Sequence, residues 1–559
     1  MEDLKFKALV DEFLKGYFQA SPVGATYIGE HKYDHLLDDL SIDAIHEEIL
    51  RLKLFQEKMK DVDTLKLSPA NQVDFAILED EIESELFSTE ELKPWENSPV
   101  MYTYLIGGSI NSLISRDFAP LRDRLRSVSG RLKRLPVLVR QAEANLKNPS
   151  EIQTTTAIKQ NLGNISLIKN DLSKLIEQIP DMQDSLTEPM DKAIKALESF
   201  QMFLEKDLLP QSTGDFRLGK ELFEKKLKYA LQSDLTSEEI VRKAEQEMIA
   251  VRQHMFELAQ PLHQQMFPGH KHKQTDNELE NVTIKEVLDS IACDHPRKDE
   301  LVAVCRQDLK EAEEFVRQNN LVDLTGINAL DVEWEPEFAR GIAIAGLDSP
   351  GPLDKSLKSF YRVSPVPEDS TDEQKESYLR EYNHWMLKEL TLHEAMPGHY
   401  VQGFYANKFP SLLRSIFGSG PFVEGWAVYA ERMMIQAGYM NHDPRMELTQ
   451  LKMYLRAVIN AILDAKIHAG YMSKEEAIQL MTEEGFQELS EAEAKWVRAV
   501  LTPTQLSTYF VGFQDLLNLE KAYREKVGDK FSQKEFNRKL LSYGAPPVRL
   551  LKETILQGD

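Results

Sequence analysis

The segment Leu392-His393-Glu394-Ala395-Met396-Pro397-Gly398-His399-Tyr400-Val401-Gln402 places two histidines and a glutamate within a few residues of one another. In the zincin pattern two histidines stand at i and i+4, on one face of a helix, and a glutamate beside the first acts as general base. Here His399 stands at i+6 from His393. At about 100° per residue, that position lies roughly 120° away around a straight helix. An unbroken helix therefore cannot aim both imidazoles at one ion. Pro397 and Gly398 supply a break. Proline lacks the helical N–H and clashes with the carbonyl four residues back, here that of His393. It also biases Met396 out of the helical region, and Gly398 admits dihedrals that other residues avoid. A two-residue loop-out is expected to return His399 to the face of His393.

A third ligand follows downstream. Glu424-Gly425-Trp426-Ala427-Val428-Tyr429-Ala430-Glu431 begins 25 residues beyond His399, after the turn Gly418-Ser419-Gly420-Pro421 that starts a new helix. A site of two histidines and one glutamate takes its carboxylate from a helix of this kind. Glu424 and Glu431 are seven apart and share a face, so either can ligate, with the other supporting from behind. Glu424 is favoured for its place at the tight helix start.

Working outward, most of the chain has helical periodicity. Residues 1 to about 215 read as long helices with short connections, a helical N-terminal lobe. Residues 216–559 read as a catalytic, zincin-like lobe, with Pro210-Gln211-Ser212-Thr213-Gly214 as the break between the two. Thr236 with Glu239 fits a capping box opening a helix with apolar Ile240, Val241, Ala244, Met248 and Val251. A second break is the polar stretch from Phe267 to Asn281. His263, His270 and His272 tempt a metal reading there, but no carboxylate or cysteine stands at ligand spacing, so an exposed loop is expected. Val332–Pro336, Gly341–Ala345 and Phe360–Val363 have strand-like content, with a turn-rich stretch from Gly346 to Pro352. Helix resumes near Ser370, where Ser370-Thr371-Asp372-Glu373 fits a capping box. The expected fold is mainly α, a large helical zincin-like protein with a small β-sheet before the metal-binding helix and a central substrate cleft.

The bulk composition narrows the partners. The chain has 559 residues, 42% hydrophobic and 28% charged, which is globular and not disordered. Its net charge of −24 argues against nucleic acid and against docking on anionic lipid. No apolar run approaches the roughly 20 residues of a membrane helix. Met1-Glu2-Asp3-Leu4-Lys5 carries acids where a signal peptide carries bases, and Lys7, Asp11, Glu12 and Lys15 interrupt any apolar core. A cytoplasmic location is therefore expected, although a chain whose leader had been replaced by a new Met1 would read the same. Cys293 and Cys305, without ligand spacing, read as idle thiols of a reducing compartment.

With both motifs in view, the chain resembles the metallopeptidase-like family long known as domain of unknown function 885, whose members carry HEAxPGHxxQ and then EGWAxYxE. These stand here at His393–Gln402 and Glu424–Glu431. Pro22–Gly29, Tyr104–Gly108 and Tyr509–Gly512 also resemble the family, so one continuous family domain over 1–559 is expected. The family is similar to gluzincins. The resemblance implies that His393, His399 and Glu424 bind zinc and that Glu394 is the base. It also points to an Asp and a His on a later helix, here Asp464 and His468, with Lys466 standing where glycine is expected. Tyr509 matches a family tyrosine. His468 and Tyr509 are candidate oxyanion donors, with a core histidine and a core aromatic as the plainer alternatives.

The expected activity is that of a zinc metallopeptidase acting on short peptides or in the manner of a carboxypeptidase. The three ligands leave a fourth position for water, Glu394 moves the proton, and Tyr509 and His468 hold the oxyanion. The strand near Gly341 to Ala345 would pair with an extended substrate, and Arg340, Arg380 and Arg456 are candidates to grip a terminal carboxylate. A zinc amidase or esterase on a non-peptide substrate, and a helical binding protein with a vestigial metal site, are the alternatives. The expected partner is a peptide or small amide.

Overall fold

The computed structural model describes residues 1–335, 345–368 and 370–557. The described chain is mainly helical, with one small sheet. It divides into two compact units. The first takes Met1–Phe216 with Pro350–Leu357 and Ser411–Phe417, and the second takes Arg217–Ser349, Lys358–Pro410 and Gly418–Asp559.

The first unit is built from amphipathic helices, among them α1 (Glu2–Ala20), α2 (Ile42–Lys60), α3 (Pro69–Phe87) and α4 (Pro99–Ile114). Phe6, Leu9 and Phe13 recur at helical spacing on α1 and meet Leu52, Phe55 and Met59 of α2 and Leu78, Ile82 and Leu86 of α3. Leu413, from the late segment Ser411–Phe417, is part of the same core. Its neighbour Arg414 is buried and pairs with Asp74 at 2.7 Å, so its charge is compensated inside the unit.

The second unit holds α5 (Ser237–Met266), α6 (Asp276–Ala292) and α7 (Leu301–Gln318). The capping box of Thr236 and Glu239 forms at the start of α5. Helix α6 begins inside the stretch expected to be a break up to Asn281, so the loop is confined to residues 267–275. The three strands are β1 (Asp331–Trp334), β2 (Ala345–Asp348) and β3 (Phe360–Val363), in the order β1-β3-β2. β3 is central, parallel to β1 and antiparallel to β2. β2 occupies residues whose Gly346 reads as turn, because pairing with Arg362 and Tyr361 of β3 overrides local preference. Of the strand expected at Gly341–Ala345, Gly341 to Ile344 lie outside the described residues, as does Arg340. The next capping box uses Thr371 and Gln374, one residue later than Ser370 and Glu373.

The remaining elements carry the site: α8 (His384–Glu394), α9 (His399–Lys408), α10 (Gly420–Gln436), α11 (Pro444–His468), α12 (Leu489–Leu501) and α13 (Ser507–Val527). α5 packs along α11, and α10 along α13. The α10–α13 crossing is made by backbone. A Cβ on Gly425 would stand 2.4 Å from the Gly512 carbonyl carbon, and one on Gly512 would stand 1.8 Å from the Pro421 oxygen. Only glycines permit that approach.

Candidate metal centre and cleft

α8 is capped by Asn383, whose Oδ1 accepts from the N–H groups of Trp385 and Met386. It ends at Glu394. The Thr391 carbonyl accepts from both Ala395 and Met396, the Met396–Pro397 peptide is cis, and α9 then starts at His399. The expected loop-out within one helix is corrected here: the two histidines come from two helices. The physical reason is the closeness of the turn. A Cβ on Gly398 would lie 1.8 Å from the His393 carbonyl oxygen. Trp426, fully buried on α10, donates its Nε1–H toward the carbonyls of Pro397 at 3.0 Å and Gly398 at 3.2 Å. The result sets the imidazoles of His393 and His399 edge to face, 4.7 Å between centroids at 89°.

Glu424 comes from the first turns of α10, whose start is capped by Ser419. Its Oε2 stands 3.5 Å from His399 Nε2 and 3.8 Å from His393 Nε2. Donors bonded to one tetrahedral zinc stand roughly 3.3 Å apart, so little closure is needed. Glu424 Oε2 is buried without a hydrogen-bond partner, an atom that a cation would satisfy. Behind the cluster, Glu431 Oε1 lies 2.6 Å from His393 Nδ1, which leaves His393 Nε2 to face the donors. The structure thus brings His393, His399 and Glu424 together as a set that could hold a metal ion, and puts Glu431 behind His393.

The two histidines differ in charge, and a metal ion would have to displace the proton of His399. Burial, helped by the charge on His399, pushes His393 down to about 4, so its imidazole is neutral. Burial also pulls on His399, but the nearby carboxylate of Glu424, with Glu394 and Glu431, outweighs it and lifts His399 to about 9. Burial alone would raise Glu424, yet His399 and His393 hold it below the ordinary carboxylate range. Glu431 is pushed up to about 8 by burial, and the adjacent buried Glu389 is pushed well above the ordinary carboxylate range by burial and by Glu431. One proton shared on the Glu389 side leaves an accepting oxygen for His393.

Glu394 points to the sheet. Its Oε2 accepts from the Leu347 N–H of β2 at 3.1 Å, and β2 is an edge of the sheet. A cavity of about 980 Å³ opens beside it, lined among others by Ala345, His393, Glu394, Arg456, Arg498 and Tyr509. Tyr509 is half-buried near the start of α13. Burial and the charge of Glu424 raise its phenol, so it keeps its proton. Its oxygen accepts from Arg498 Nη2 at 2.9 Å and retains the O–H for a further acceptor. Asp464, fully buried, accepts from Thr504 N–H at 2.8 Å, Ser507 N–H at 3.0 Å and Ser507 Oγ at 2.7 Å. It thereby ties down the turn before α13 and sets Tyr509. Burial pushes Asp464 up to about 6 in spite of these bonds.

Several expected residues fall elsewhere. His468 is enclosed in the core, stacked on Phe223, with its Nε2 at 2.9 Å from the Ala499 carbonyl. It does not line the cavity, and its expected oxyanion role is corrected to a packing role. Lys466 turns to Glu245 of α5 at 2.6 Å and takes no space from the cavity. Arg380 is held by the Asp289 carbonyl and Cys293 Sγ, away from the cavity lining. Arg456 does line the cavity, paired with Glu491 and, at 3.8 Å, Glu381. Sequence reasoning missed Trp426 as the clamp on the Pro-Gly turn, although it lies inside the second motif. It also missed Arg498 and the buried Lys495, which no motif marks.

Residues 267–275 form the mostly exposed loop that the sequence predicts, but its histidines are not scattered. His263, His270 and His272 converge with Glu286 of α6, and all four offer donor atoms within 4.8 Å of one another. The carboxylate absent from ligand spacing in sequence arrives from the next helix.

No curated protein matches this chain. A solved structure from Shewanella oneidensis, described as a "putative lipoprotein of unknown function", aligns with a TM-score of 0.85 at 34% identity over 99% of both chains. Another from Colwellia psychrerythraea, described as a "putative lipoprotein", aligns at 0.81 with 18% identity over 99% of this chain and 98% of its own. At that lower identity the likeness speaks for the fold alone. The expected cytoplasmic location is corrected by the Shewanella relative, since a lipoprotein description points outside the cytoplasm. The chain belongs to the family described as bacterial protein of unknown function (DUF885), whose pattern matches residues 22–555.

Proposed function

We propose that this protein is a zinc-dependent hydrolase that cleaves peptide bonds in short peptides, with His393, His399 and Glu424 holding the ion. The observation that carries the reading is the placement of Glu394. It stands beside a three-donor cluster, is anchored by the Leu347 N–H of an edge strand, and shares one cavity with Tyr509. Three protein donors leave a fourth position open, where zinc would acidify a water and polarise a carbonyl.

The residues of the chain do the rest. Glu394 takes the proton of the attacking water and delivers it to the leaving amine. Tyr509 donates its O–H to the oxyanion, and Arg498 sharpens that donor by hydrogen bonding to the same oxygen. β2 offers its edge to an extended substrate backbone. Arg456 and Arg498 on the cavity wall receive a substrate carboxylate. By likeness to the solved relative from Shewanella oneidensis, the protein works outside the cytoplasm.

The test is a digest of a peptide library read by mass spectrometry, with zinc-loaded protein, chelated protein and Glu394→Gln. Products are expected from the loaded protein alone, while Glu394→Gln retains its zinc. Cleavage by Glu394→Gln at near the wild-type rate would overturn the reading.

A further inference from the structure

We propose that His263, His270, His272 and Glu286 form a second zinc site, closed and structural, that fastens the 267–275 loop to α5 and α6. His263 lies in the last turns of α5, 5% exposed. The chain leaves that helix, turns, and brings His270 and His272 back onto it. Two residues apart on an irregular strand of chain, these two side chains are directed to the same side. The ring centroids stand 5.5 Å apart for His263 and His270, and 4.8 Å apart for His263 and His272 and for His270 and His272. Glu286, from the middle of α6, faces all three. Its carboxylate lies 2.7 Å from His263 Nε2, and 3.7 Å from the Nε2 atoms of His270 and of His272.

Hydrogen bonding alone does not account for this convergence. One carboxylate can neutralise one imidazolium, and three protonated rings at these separations repel. Three neutral rings would each need a separate acceptor or donor for the inward nitrogen. The His272 side chain is only 9% exposed, and its Nε2 is buried with no hydrogen-bond partner. A buried, unpaired nitrogen costs stability unless something fills its lone pair. A cation at the common focus fills all of them at once.

The donor set selects the cation. Three imidazoles and one carboxylate suit zinc in a tetrahedral shell, whereas calcium and magnesium require mainly oxygen. Four protein ligands leave no position for water, so the site is structural. The other cluster has three donors and a cavity, and this one has four donors and does not line that cavity. Lys271 and Lys273 each follow a ligand on the same loop, and both are exposed.

Those two lysines provide a readout independent of any activity. Untagged full-length protein is stripped with chelator, dialysed, and titrated with zinc alone. Bound metal is counted by elemental mass spectrometry, and trypsin cleavage after Lys271 and Lys273 is followed in parallel. Two equivalents are expected in the wild type and one in Glu424→Ala. One is also expected in His270→Ala/His272→Ala and, as a milder change that keeps the fold of the loop, in Glu286→Gln. Zinc should slow cleavage at the two lysines by about tenfold or more in the wild type and in Glu424→Ala, but not in the other two variants. Wild-type zinc content in His270→Ala/His272→Ala and Glu286→Gln, or loop cleavage indifferent to zinc, would overturn the proposal. Because Glu424→Ala empties only the first site, failure of the hydrolase reading and failure of this one are told apart.

Discussion

The two histidine clusters differ in what holds their donors. At His393, His399 and Glu424 the protein itself does so. Glu431 fixes one imidazole, Trp426 clamps the turn between the histidines, and Ser419 caps the helix that carries the carboxylate. At His263, His270, His272 and Glu286 two of the four donors sit on a loop, and Glu286 is the partner that all three rings share. The first arrangement is organised before an ion arrives, at the wall of a cavity. In the second, an ion would fasten donors that otherwise share only Glu286. Preorganised donors with an open position fit catalysis, and a closed shell fits stapling. The largest test of that contrast is Glu394→Gln. It should lower peptide turnover by roughly a hundredfold to ten-thousandfold with zinc content unchanged, since a positioned base contributes that much. The corresponding change in the second cluster, Glu286→Gln, should leave turnover within about twofold, because that site is structural and does not line the cavity that holds Glu394. Steady-state assays on both variants check the pair.

Tyr509→Phe comes next. Removing one oxyanion donor costs about a hundredfold to a thousandfold in kcat, with KM and zinc affinity little changed. A loss confined to KM would make Tyr509 a binding residue. Glu431→Gln should act on the metal instead of the chemistry. Replacing a carboxylate behind a ligating histidine weakens metal binding by roughly tenfold to a hundredfold, measurable by competition with a chromophoric chelator. At saturating zinc most of the activity should return, which separates this carboxylate from Glu394.

Much of the first cluster was legible because its donors lie in two short motifs, and the defect in spacing came with its own remedy in Pro397 and Gly398. The second cluster was hidden by distance along the chain. Glu286 follows the nearest histidine by 14 residues and lies on a helix whose start reads as loop. His468 shows a different limit. It does share a face with Asp464, as an i, i+4 pair must. From Tyr454 onward, however, α11 is buried on almost every side, so periodicity does not say which face meets the cavity. The carboxylate of that pair supports the turn before Tyr509, and the histidine packs on Phe223. Gly346 to Asp348 read as turn for a related reason: the strand state of β2 comes from β3, not from its own residues.

Trp426→Phe is the smallest change and the one that would blur the contrast between the clusters. Phenylalanine keeps most of the buried ring but removes the N–H shared by the Pro397 and Gly398 carbonyls. The Pro397 carbonyl then loses the indole donor in a buried turn, at a cost of about 1–3 kcal/mol, while the Gly398 carbonyl keeps the Gln402 N–H. That energy currently holds His393 and His399 in mutual register without metal. Once it is lost, the ion must supply it, so the first cluster should come to resemble the second. Zinc should then raise the unfolding midpoint of Trp426→Phe more than it raises that of the wild type, in denaturant titrations run with and without the ion. Equal zinc-linked shifts in the two proteins would mean that the clamp does not organise the ligands, and that the preorganisation of this site resides in Glu431 and Gly398 instead.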